Sequence, residues 1–166
     1  MAATAEQGGR VVLAGTVLPG RAIAPPYASD ARCVIWAAAH NDDPDVAASG
    51  GLAFQLRADD GRELAVETAG AAVVLPVRLR FTFTRESHTA PVPDGSRPPG
   101  RGVQQQEIRR VCWLAVGDRV TVAGRLTGAG APFRGRQMVV AVSIRIEGTA
   151  APTLAVRALE PADPEY

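Results

Sequence analysis

"LAFQLRADDGRELAVE", residues 52–67, decides the fold class. Leu52, Phe54 and Leu56 alternate with Ala53, Gln55 and Arg57, so extended backbone sends the two sets to opposite faces. "DDG" (59–61) reverses the chain, and Leu64 and Val66 return on one face of "RELAVE" (62–67). An Asp-Gly turn between two alternating stretches predicts a β-hairpin.

The same period of two runs outward in both directions. "RVVLAGTVL" (10–18) begins it, and "VVLPVRLRFTFT" (73–84) is its longest stretch. There Val77, Leu79, Phe81 and Phe83 alternate with Arg78, Arg80, Thr82 and Thr84. This spacing predicts Phe81 and Phe83 in the core and the arginines on a solvated or partner-facing stripe. Pro76 cannot donate to a ladder, so it belongs near the strand start, at a bulge or on an edge. "GDRVTVAGRLTG" (117–128) turns Val120 and Val122 inward, with Gly124 marking a bulge or sharp bend. "QMVVAVSIRI" (137–146) alternates again, and "TLAVR" (153–157) is a last short strand. For "VQQQEIRRVCWLA" (103–115) one or two helical turns are preferred, because Ile108, Val111, Cys112 and Ala115 follow helical spacing; a short strand ending at Leu114 is the alternative.

Two segments read as loops. "NDDPDVAASGG" (41–51) is a short acidic turn. "RESHTAPVPDGSRPPGRG" (85–102) holds four prolines and three glycines without an apolar period, and its composition favours disorder. The expected architecture is all-β: an antiparallel, OB-like barrel of seven or eight strands with at most one short helix. It forms one domain over 10–157, between a flexible start (1–9) and a polar tail (158–166).

Composition narrows function mainly by exclusion. The 166 residues carry a formal net charge of +1, and all 18 basic residues are arginine, a codon bias that suggests a GC-rich, bacterial source. A protein that holds many phosphates normally shows a basic excess or stripe, so nucleic acid is a disfavoured partner. The N-terminus lacks the pattern of a signal peptide, and no apolar run approaches the ~18 residues of a membrane span. A cytoplasmic protein without an integral membrane segment is expected.

Catalytic constellations are thin. Cys33 and Cys112 show neither CxxC nor zinc spacing; each sits in an apolar strand-like run, which favours two buried thiols over a disulfide. On one strand at ~3.3 Å per residue, Cys33 and His40 are on the order of 20 Å apart, too far for a nucleophile and its base. The other pairing, Cys112 with His88 in the Pro-rich loop, has little to support it. Asp42, Asp43 and Asp45 lack the spacing of a calcium loop and read as a solvated turn. With no phosphate-binding, nucleophile-elbow or metalloprotease motif present, neither an enzyme nor a cofactor or metal is expected. The candidate interaction surface is Arg78, Arg80, Tyr27, Phe133, Arg134 and Arg136, since Tyr and Arg are enriched at binding hot spots.

Read in order, "VVLAGTVLPG", "AIAPPYASDARCVIW", "FQLRADDGRELAVE", "WLAVGDRVTVAGRL" and "FRG" resemble the GIDE, or beside-a-membrane, domain of MULAN-type mitochondrial ubiquitin ligases and many prokaryotic proteins. The matching positions are Gly15, Pro25 or Pro26, Cys33, Phe54, Leu56, Asp59 or Asp60, Gly61, Gly117, Asp118 and Gly124. The resemblance spans about residues 10–157. Those ligases end in a RING, which needs about eight Cys/His zinc ligands. Two cysteines and two histidines cannot supply them, so ligase activity is excluded for these residues. What the resemblance implies is a non-catalytic module for protein–protein contact with an unknown protein partner. The alternative is an OB-like binder of single-stranded nucleic acid.

Overall fold

The computed structural model describes residues 5–7, 9–41, 43, 45–87, 103–128, 137–147 and 152–162. The hairpin forms as its turn dictates. Strands β5 (Phe54–Ala58) and β6 (Glu63–Glu67) pair Phe54 with Val66 and Leu56 with Leu64, and Gly61 takes the left-handed φ of 91° that the turn requires.

Around this hairpin a five-stranded barrel closes. β2 (Arg10–Val17) pairs β5; β6 pairs β10 (Gln137–Ile146); β10 pairs β9 (Arg119–Gly128); β9 returns to β2. Alternate residues fill the interior, among them Val11, Leu13, Leu56, Leu64, Val122 and Ile144, all at or near zero exposure. Burying such a side chain stabilises the fold by roughly 1.5–3 kcal/mol. Closure brings backbones together at two glycines. A Cβ at Gly15 would collide with the Arg57 carbonyl, and one at Gly124 with the Val140 carbonyl.

The barrel is not the antiparallel one expected. β10 runs parallel to β6 and to the start of β7 (Ala72–Ser87), so the sheet is mixed. A parallel partner needs a long crossover. The chain supplies one by passing through β7, β8 (Val103–Leu114) and β9 before β10 returns.

β7 leaves the barrel and builds a second layer. Its first residues pair β10 and β11 (Thr153–Val156); from Val77 onward it pairs β8. β8 then pairs β3 (Ile35–His40), which pairs β4 (Ala48–Gly51). A short strand, β1 (Ala5–Gln7), pairs the start of β2. Ile35, Ala37, Ala39, Cys112 and Leu114 join the barrel's core cluster, while Ile23, Cys33 and Leu52 form a satellite core with Trp36 and Trp113 on the other face.

Residues 103–114 are therefore strand, not helix, and no helix forms among the described residues. Val111 and Cys112 are both buried because the layer is covered on both faces, a pattern that mimics helical spacing in the sequence. The segment 158–166 begins with an anchored stretch: Leu159 is 2% exposed, and Gly51 exchanges hydrogen bonds with Glu160 and Ala162 at 2.9 Å.

Candidate functional site

The second departure from the sequence pattern creates the site. Val77 opposes Cys112, but Leu79 opposes Val111, so Arg78 is the extra residue of a β-bulge. A one-residue shift exchanges the faces of everything beyond it. Val77 packs on the main core, whereas Phe81 and Phe83 turn to the outer face with Arg109 and Glu107, their cross-strand partners. The phenylalanines are thus not core: Phe83 is 36% exposed.

Tyr27 meets them from the connection between β2 and β3. Ile23 and Cys33 exchange main-chain hydrogen bonds at 2.8 Å, closing residues 24–32 into a loop. Tyr27 caps it with a left-handed φ of 63°, a conformation a non-glycine residue holds only when its surroundings enforce it. Its ring stands edge-on to Phe81, with centroids 5.0 Å apart at 70°, and Phe81 lies 6.1 Å from Phe83. Tyr27 remains 60% exposed.

Arg109 is the pivot beneath these rings. Its guanidinium lies 4.9 Å from the Phe83 centroid and donates from Nη2 to Glu107 Oε2 at 2.8 Å. Burial disfavours its charge, but hydrogen bonds with Tyr27 and Glu107 outweigh this and raise its pKa. Among the described residues, the buried Arg109 Nε has no hydrogen-bond partner.

The residues nominated from sequence separate into groups. Arg78 lies on the outer layer but is engaged. It donates from Nε to the Trp113 carbonyl at 2.9 Å and from Nη2 to Asp118 Oδ2 at 2.5 Å, and it sits over the Trp113 ring. Asp118 also accepts from the Ala115 N–H, so Arg78 pins the bulge to the turn before β9. Arg80 is exposed on the opposite face, across from Arg110. Phe133, Arg134 and Arg136 lie outside the described residues. Of the nominated residues that are described, Tyr27 alone joins the aromatic group. Phe81, Phe83 and Arg109 were missed, and Pro76, two residues before the bulge, was the available signal.

The thiols are free and buried, and burial pushes both Cys33 and Cys112 up to about 12. They stay protonated near neutral pH and are poor nucleophiles. Asp42 and His88 lie outside the described residues, and Asp43 accepts the Asp45 N–H at 2.9 Å as a local turn bond. Among the described residues no three His, Cys, Asp or Glu side chains gather as metal ligands. No family model matches the chain, nor does any curated protein or solved structure.

Proposed function

We propose that the chain is a non-catalytic interaction module on an OB-like barrel, resembling the GIDE domain and acting through protein–protein contact at Tyr27, Phe81 and Phe83. The observation that carries this reading is the exposed aromatic group held from below by Arg109. Rigid aromatic anchors beside arginine are the usual centre of a protein interface, because their burial costs little conformational entropy. Inert thiols support the non-catalytic part of the reading.

Support for the OB-like barrel comes from its ring. Counted in chain order, the five barrel strands close as one-two-three-five-four, with three and five parallel. In such barrels the outer face of strands two and three takes oligonucleotides. Here that face is β5–β6, where Gln55, Arg57, Glu63 and Glu67 stand, Arg57 is paired with Glu63 at 3.1 Å, and no aromatic side chain offers a stacking platform. This chemistry favours a protein partner over single-stranded nucleic acid.

Co-purification from the native host, quantified against a Tyr27→Ala/Phe83→Ala double variant, tests the reading. Truncating a hot-spot aromatic costs about 2 kcal/mol or more, so specific partners should fall by at least roughly tenfold. Partners retained in full would contradict the proposal. Salt-sensitive binding of a fluorescent oligonucleotide would support the alternative.

A further inference from the structure

A second surface shares no residue with the aromatic group: the cleft between β4 and the segment following β11. Its volume is about 700 Å³, within the range of ligand sites, and Val46, Ala48, Ser49, Ala155, Val156 and Ala158 contribute to its walls.

Both strands beside it are sheet edges. Among the described strands, β4 pairs β3 and no other, and β11 pairs β7 and no other. The direction of their free main-chain groups follows from the bonds already made. Leu52 donates to Val34 across β3–β4, so alternation turns Gly51 and Ser49 away from β3. Gly51 confirms this by bonding Glu160 and Ala162 instead. On β11, Pro152 accepts from Val77, so Leu154 and Val156 face β7 while Thr153 and Ala155 face outward. Among the described residues, the Ser49 and Ala155 main-chain groups have no hydrogen-bond partner on those free sides.

The edge of β4 already accepts an added segment. Pro161 makes a parallel bridge with Gly51, and Glu160 N–H donates to Ser49 Oγ at 3.3 Å rather than to the Ser49 main chain. The Leu159 main chain is instead drawn to Gly70 and Ala71, at 2.9 Å each. The segment therefore leaves the edge of β4 at Ser49, and the cleft opens there. Short side chains at Ala48, Ser49, Ala155 and Ala158 let another backbone approach, and the half-buried Val46 supplies apolar surface.

We propose that this cleft binds an extended peptide segment of a partner protein, added as a β-strand against Ser49 and Ala155 with small or β-branched side chains directed at Val46. Main-chain hydrogen bonds would supply affinity and alternate side chains specificity, as in other strand additions. The inference rests on the interaction reading of the chain but not on the aromatic face.

The test is to pan a displayed peptide library against the full chain and titrate a recovered peptide into isotope-labelled protein. Amide shifts should concentrate at residues 45–49 and 153–160, with slowed hydrogen exchange at Ser49 and Ala155. N-methylation of alternate peptide residues should weaken binding about tenfold or more. Ala155→Pro should do the same, because it deletes an outward N–H and leaves the bonds to β7 in place. Ala158→Trp, which fills the cleft without touching the β11 main chain, is the second variant should the first unfold. Recovery of no peptide, or indifference to N-methylation and to Ala158→Trp, would overturn the proposal. Peptides that map instead to Tyr27 and Phe83 would overturn the cleft while leaving the interaction reading intact.

Discussion

Gly124 illustrates how a single side chain controls barrel closure. Its missing Cβ is the space that the Val140 carbonyl and Ala141 occupy, and both are backbone atoms that cannot swing aside. Gly124→Ala should therefore destabilise the protein by about 1–3 kcal/mol in denaturant unfolding, whereas Gly20→Ala, with nothing nearby, should not shift the midpoint. Asp59 shows the electrostatic counterpart. It accepts two hydrogen bonds from Arg119 at 2.7 and 2.8 Å, and these hold its carboxyl below the usual range. A depressed folded pKa contributes stability that is full above the unfolded value, about 3.9, and is lost as pH falls through the folded value. Asp59→Asn should flatten this acid limb of a stability–pH profile; an unchanged limb would show that the exposed pair is screened out. The thiols give a third check. With both groups pushed up to about 12 by burial, a thiol-specific chromogenic reagent should react at pH 8 only as fast as the chain opens, and fast labelling of the native protein would contradict their burial.

At the scale of elements, the bulge at Arg78 divides β7 into a barrel half and an outer-layer half. Arg78→Ala removes the clamp to Trp113 and Asp118. It should speed hydrogen exchange in residues 79–83 and 107–111 while leaving the β5–β6 hairpin protected, which amide-resolved exchange would check. Equal loss in both regions would mean that the clamp serves global stability instead. The hairpin at 52–67 was legible because Asp-Gly punctuates two clean alternations, and Gly124 stood out within a strand pattern. β8 was less legible: neighbours cover both of its faces, so adjacent Val111 and Cys112 are both apolar and copy a helical spacing. The aromatic face was hidden for another reason. Unbroken alternation from Val77 to Phe83 puts all four apolar residues on the core side, and only the paired strand reveals that a residue has been inserted. Tyr27 was visible as a candidate, but its partners lie far away in the chain.

For the whole molecule, the barrel is a support and the β7–β8 layer carries the exposed aromatic group on which the proposed contact rests. The barrel's ring is completed by β9 and β10, whereas the outer half of β7 is freed to pair β8 beyond it. The most direct measurement places a photo-crosslinking phenylalanine analogue at Phe83 in the native host, with Val116, another exposed apolar position, as control. A discrete adduct with a protein at Phe83, absent at Val116 and lost on adding Tyr27→Ala, is the expected result. No adduct at Phe83, or the same adducts from both positions, would contradict an interface on this face.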